Sequence, residues 1–146
     1  MTFNPVAALN VIECKNIISS NAPKAVDLGS QTSSINDIFV KNLLVNNKTI
    51  DSIQKKKLDN LSRSKSFATE DYFKSVGFKE YKSIDINGAY NSLQFDLNKN
   101  ISETYSYNEK YDLVINNGTG EHVFNQYALF LNFHNLTKLN GIMLNI

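Results

Sequence analysis

Tyr81-Lys82-Ser83-Ile84-Asp85-Ile86-Asn87-Gly88 carries an apolar run into a carboxylate and then into a glycine turn. Leu93-Gln94-Phe95-Asp96-Leu97-Asn98 follows, with a second carboxylate eleven residues after the first. A parallel strand that ends in an acid at the lip of a cleft is a common way to hold a ribose, because one carboxylate accepts hydrogen bonds from both hydroxyls of the diol. Such a site rejects analogues that lack the diol, since polar atoms are then left unpaired. The plain reading of Asp85 is a cap on the Asn87-Gly88 turn, and Asp96 has the same reading before Leu97-Asn98. If 81–86 is a strand, the segments on either side fall into the order of a nucleoside-binding α/β sheet.

Upstream, residues 5–20 read as a helix, with Pro5 in its first turn and Val6, Leu9, Ile12 or Glu13, and Asn16 or Ile17 near helical spacing. Asn21-Ala22-Pro23 breaks it, and Lys24-Ala25-Val26-Asp27-Leu28-Gly29 reads as a buried strand running into a glycine turn. Residues 30–73 read as a helical insertion. Within it, 35–45 has a helical face and 50–61 is polar and basic, with Lys55-Lys56-Lys57 followed by Arg63 and Lys65. That cluster reads as a solvated helix face or, less simply, as a polyphosphate site. Residues 69–77 read as a helix capped by Thr69, with Glu70 and Asp71 in the first turn and Gly77 at the end.

Downstream, 92–96 reads as a short extended segment and 110–116 as a buried strand with Asn117-Gly118-Thr119-Gly120 as its turn. Residues 121–139 read as a helix with Val123, Phe124, Tyr127, Phe130, Leu131, His134 and Lys138 roughly along one side, and 141–146 as a last strand. Alternating strands and helices predict a mostly parallel α/β sheet, with ligands at the carboxyl ends of the strands. The turns after Leu28, Ile84 and Ile115 all fall there.

The 146 residues suffice for one domain with one core. A net charge of +1 gives no reason to expect nucleic acid or a membrane surface as partner. One cysteine, Cys14, excludes an internal disulfide and argues against a thiolate metal site, which fits a cytoplasmic location. Five Asn-x-Ser/Thr triplets, at Asn47, Asn60, Asn100, Asn117 and Asn135, read as accidents of an Asn-rich chain. Glu13 and Lys15 inside the first apolar run argue against a signal or membrane segment.

In order, these segments resemble the class I S-adenosylmethionine-dependent methyltransferases over roughly residues 24–146. The resemblance implies a Rossmann-like fold that binds S-adenosylmethionine. Asp27, Gly29 and Gln31 would lie under its methionine part, Asp85 and Ile86 at the ribose, Asp96 and Leu97 at the adenine, and Asn116 and Asn117 at the reaction centre. Glu121-His122 resembles the acid–histidine pair of one methyltransferase subset, and His122 is the candidate general base because imidazole is the side chain suited to exchanging protons near neutral pH. The implied activity is methyl transfer to a small molecule or glycan.

Three features depart from that pattern. The turn after the first strand reads Gly29-Ser30-Gln31-Thr32, with a single glycine. Asp27 and Asp85 are 58 residues apart, against a usual spacing of about 20. The family fold has two strands beyond the fifth, where this chain ends, so the sheet is expected to be incomplete or to pair its open edge with another chain. A non-catalytic Rossmann-like module that assembles in this way is the alternative function. A dinucleotide oxidoreductase fits less well, because the glycine fingerprint is absent.

Overall fold

The structure is a computed structural model, and residues 2–29, 32–33, 35–46, 49–63 and 67–146 are described. Four strands form one sheet: β2 (Lys24–Asp27), β4 (Glu80–Ser83), β5 (Tyr111–Asn116) and β6 (Thr137–Asn145), in the order β4-β2-β5-β6. All three pairings are parallel. A separate two-residue pair joins β1 (Thr2–Phe3) to β3 (Thr32–Ser33). The helices are α1 (Pro5–Ile17), α2 (Asp37–Asn46), α3 (Ser52–Ser62), α4 (Thr69–Ser75), α5 (Ile101–Tyr105) and α6 (Gln126–Leu136). The chain is a Rossmann-like α/β protein, as the strand–helix alternation predicts.

The buried strands alternate their side chains between two cores. Ala25, Leu113 and Ile115 face the cluster built by α1 to α4, with Phe3, Val11, Leu58, Tyr72 and Phe73 among its largest members. Val26, Leu28, Val114 and Ile84 face the cluster of α5 and α6, with Ile101, Leu129, Phe133 and Leu136. Helices on both faces explain why the apolar run Leu113-Val114-Ile115 of β5 does not alternate with polar residues and why the strand is buried along its whole length. In the first cluster the Tyr72 hydroxyl donates to the Ala8 carbonyl at 2.9 Å. Cys14 is a buried hydrophobe whose thiol pKa is pushed up by burial, so it is held in its unreactive form.

Helix boundaries follow their caps. Asn4 accepts from Ala7 N at 3.0 Å ahead of Pro5. Asp51 and Gln54 form a reciprocal capping box on α3. Lys55, Lys56 and Lys57 lie exposed on α3 while Leu58 is buried, so the basic stretch is a solvated face as far as it is described. Thr69 is the first helical residue of α4 and does not cap it; Ala68 stands at the cap, and its N–H donates to Asp71 at 3.1 Å.

Four expectations need correction. Residues 121–139 are not one helix: a 3-10 turn spans Gly120–His122, the chain extends through Val123, and α6 begins only after Asn125, whose side chain caps Ala128 N at 3.1 Å. The buried face of α6 is Ala128, Leu129, Asn132, Phe133 and Leu136, which leaves Phe124 (98% exposed), Tyr127, Phe130 and His134 outside. The last strand begins at Thr137, directly after α6, and a register shift opposite Tyr111–Leu113 contains Asn140 at φ 63°. The strand expected over 81–86 ends at Ser83, after which Ile84 forms a single parallel bridge to Leu93.

Candidate functional site

Because every pairing in the sheet is parallel, the turns after β2, β4 and β5 emerge at one edge. The chain runs outward from β2 to β4 and then returns past β2 to β5, so the order reverses between β2 and β5. A ligand crevice is expected at such a switch point. Here the two turns touch. Leu28 N donates to Ile115 O at 2.7 Å. Gly29 sits at φ +146°, and a Cβ placed there would lie 2.0 Å from the Thr119 hydroxyl oxygen. Only glycine allows this approach with that backbone.

Beside this contact a cavity of about 320 Å³ opens on the α5/α6 side. Asp85, Ile86, Asp96, Leu97 and His122 line it, all of them expected from the sequence. Phe95, Asn98, Gly118, Thr119 and Val123 also line it, brought there by the tertiary fold. Phe95 stacks on Tyr105, with ring centroids 4.4 Å apart and planes 21° from parallel. The cavity thus offers an apolar wall from Ile86, Phe95, Leu97 and Val123, with one carboxylate from each of two successive turns.

Each carboxylate is oriented by its own turn. Asp85 Oδ1 accepts from Asn87 N at 3.1 Å. Asp96 Oδ1 accepts from the Asn98 side-chain amide and backbone N–H, both at 2.9 Å. The Asn98 amide, followed by its backbone N–H, holds the Asp96 carboxyl below the usual carboxylate range. The turn-capping reading is therefore correct for both acids, and it fixes their rotamers at the cavity wall.

Asparagine side chains hold the outer wall in place. The buried Asn132 on α6 accepts from Ile101 N at 2.9 Å and donates to Lys99 O at 2.8 Å. Asn125 N donates to Asn98 Oδ1 at 2.9 Å, and the Asn125 amide donates to Asn98 O at 3.1 Å. No local pattern marks these pairs, which join residues 27 to 33 positions apart.

The remaining expected residues divide as follows. Asn116 is buried, and its amide is committed: its oxygen accepts from Gly120 N at 2.8 Å and its nitrogen donates to Asn145 at 2.6 Å. Asn117 is buried in the turn that leads to Gly118. Gln31 lies outside the described residues. His122 reaches the cavity, but its side chain is 73% exposed, and Nε2 lies 3.9 Å from Glu121 Oε1. Glu121 is half exposed and does not line the cavity.

Asp27 points to the α1–α4 side and is 0% exposed. Neither of its oxygens has a hydrogen-bond partner of ordinary geometry among the described residues. Burial pushes its carboxyl well above the usual range, and the Tyr81 hydroxyl on the adjacent strand opposes that shift. Among the described residues no group of three or more His, Cys, Asp or Glu is placed to hold a metal ion, and no helix is long and apolar enough to cross a membrane.

No protein-family model, curated protein or solved structure matches this chain.

Proposed function

We propose that the cavity beside the β2–β5 switch point binds an adenosine-type cofactor, and that the chain is an S-adenosylmethionine-dependent methyl-transfer domain acting on a small molecule or glycan. The observation that carries this reading is the convergence of Asp85 and Asp96 on one apolar slot at the carboxyl edge of a parallel sheet. A purine fits between Ile86, Phe95, Leu97 and Val123, and a ribose diol fits a carboxylate held in one rotamer. The residues present suit such a group by the chemistry of the donor set: acceptor oxygens for the diol, and apolar side chains for the base.

The cofactor would supply a methyl group already activated by a positive sulfur. The protein's part is then to exclude water and to align the acceptor in line with the methyl carbon, a positioning effect worth up to about 10 kcal/mol. For a hydroxyl acceptor the proton needs a base, and His122 is the titratable side chain on the cavity wall suited to receive it. The exposure of His122 suits a site whose acceptor side faces solvent.

Isothermal titration with S-adenosylmethionine and S-adenosylhomocysteine tests the reading. Both are expected to bind, with affinity at least about tenfold lower in Asp85→Ala, a loss of about 1.4 kcal/mol. Absence of heat from either ligand overturns it. The single-glycine first turn and the exposed Glu121–His122 pair favour the non-catalytic module as second reading. Tight binding without transfer to any acceptor would select it.

A further inference from the structure

We propose that a second cavity, along the outer strand β4, binds a neutral polyhydroxylated ligand such as a monosaccharide unit. It measures about 640 Å³, twice the volume of the first, and Tyr81, Lys82, Ser83, Tyr90, Asn91 and Ser92 are among its walls. The two cavities adjoin at consecutive residues: Ser83 lines this one and Ile84 the other. The proposal stands on this cavity alone and does not require that the first one hold an adenosine.

The charges select against ions. Among the described residues the cavity borders one cation and one anion, and each is already paired. Lys82 Nζ lies 3.3 Å from Glu80, and the Glu70 carboxylate lies 2.6 Å from Lys74 Nζ. Both pairs are partly exposed and so contribute little, and among the described residues the cavity offers an ion no unpaired charge to meet. Hydroxyl and amide groups on the wall both donate and accept, which matches sugar hydroxyls. The Ser92 Oγ is shielded from solvent and has no hydrogen-bond partner among the described residues.

The rim supplies the second element of sugar recognition, an aromatic ring for the CH-rich face of a pyranose. Tyr90 is 65% exposed and takes φ 54°, ψ 35°, and Asn91 follows at φ 59°. Bulky L-residues rarely adopt this left-handed region. The strain gains little packing, since the ring stands mostly in solvent. Strain held without a packing return is the pattern of a ligand-contacting turn.

Saturation-transfer NMR and calorimetry with the methyl glycosides of glucose, galactose, mannose and N-acetylglucosamine, and with glucuronate as anionic probe, test this. At least one neutral glycoside is expected to bind in the millimolar range, with glucuronate about tenfold weaker. Tyr90→Gly is expected to weaken the glycoside about tenfold and to leave S-adenosylhomocysteine binding as in the unaltered protein; glycine adopts this backbone freely, so the fold is retained. Asn91→Gly is the independent second variant: Asn91 lines the cavity and is exposed at φ 59°, and the expected loss is about threefold. Failure of all four glycosides to bind, preference for glucuronate, or unchanged binding in both variants overturns the proposal. S-adenosylhomocysteine binding in the same samples reports on the first cavity separately.

Discussion

The substitution Asp27→Asn turns the most deeply buried acid of the sheet into its uncharged isostere. Asp27 has no solvent exposure and, among the described residues, no hydrogen bond of ordinary geometry to either oxygen; burial raises its pKa well above the ordinary value of 3.8, with the Tyr81 hydroxyl opposing. The unfolded chain releases this proton near that ordinary value, whereas the folded chain keeps it. Between the two values the native state holds one proton more than the unfolded state, so stability falls as pH rises. The loss reaches up to about 1.4 kcal/mol per pH unit, and it is complete once pH passes the folded value. The introduced amide cannot titrate, so the variant lacks this loss. Urea unfolding at about pH 5 and pH 7 is expected to show the variant gaining on the natural protein, by up to about 2.7 kcal/mol across that interval. A difference between the two proteins that stays flat over the interval would mean that Asp27 is ionised or fully paired in the native state, and would refute the reasoning.

Gly29→Ala meets both a clash with Thr119 and an unfavourable φ, and is expected to cost at least about 3 kcal/mol by urea unfolding. Adding Thr119→Ala should recover only the part due to the clash. Asn132→Leu removes the amide that holds Ile101 N and Lys99 O, with an expected cost of about 3 kcal/mol and faster amide exchange at Ile101 by NMR. Tyr90→Gly relieves a left-handed tyrosine and should raise the melting temperature, the gain limited to about 1 kcal/mol by the larger entropy of unfolded glycine.

The sheet is legible because burial on two faces leaves short apolar runs bounded by turns, Ala25-Val26 within 24–29 and Leu113-Val114-Ile115 within 110–116, each with a single acid, Asp27 or Asp112. Parallel strand direction then places their turns at one edge. Asp85 and Asp96 were legible from the acid-then-turn pattern, and they do share a cavity. The face of α6 was not legible, since the helix is apolar nearly all round and periodicity has no polar side to set its phase. Phe124, Tyr127 and Phe130, which the sequence places on one side of a single helix, stand exposed. The start of α6 was misread because Glu121 after a glycine turn looks like a first helical turn, while the actual cap is Asn125. Thr69 beside Glu70 and Asp71 misled in the same way. Phe95 precedes Asp96 directly and Thr119 belongs to the turn after β5, whereas Val123 reaches the acids only through the tertiary fold. The Asn98–Asn125 and Asn132 contacts depend on side-chain amides, whose partners no local pattern predicts.

Those amide contacts have a consequence for motion. Beyond Ile84 and Leu93, whose single bridge ends the ladder, the outer wall of the first cavity has no strand to stiffen it. Its shape is set by Asn98, Asn125 and Asn132, whose hydrogen bonds tie the segment 96–101 to α6 and its cap. A ligand that occupies the slot would slow exchange at the Ile101 and Asn125 amides together, by the same factor, although it need touch neither.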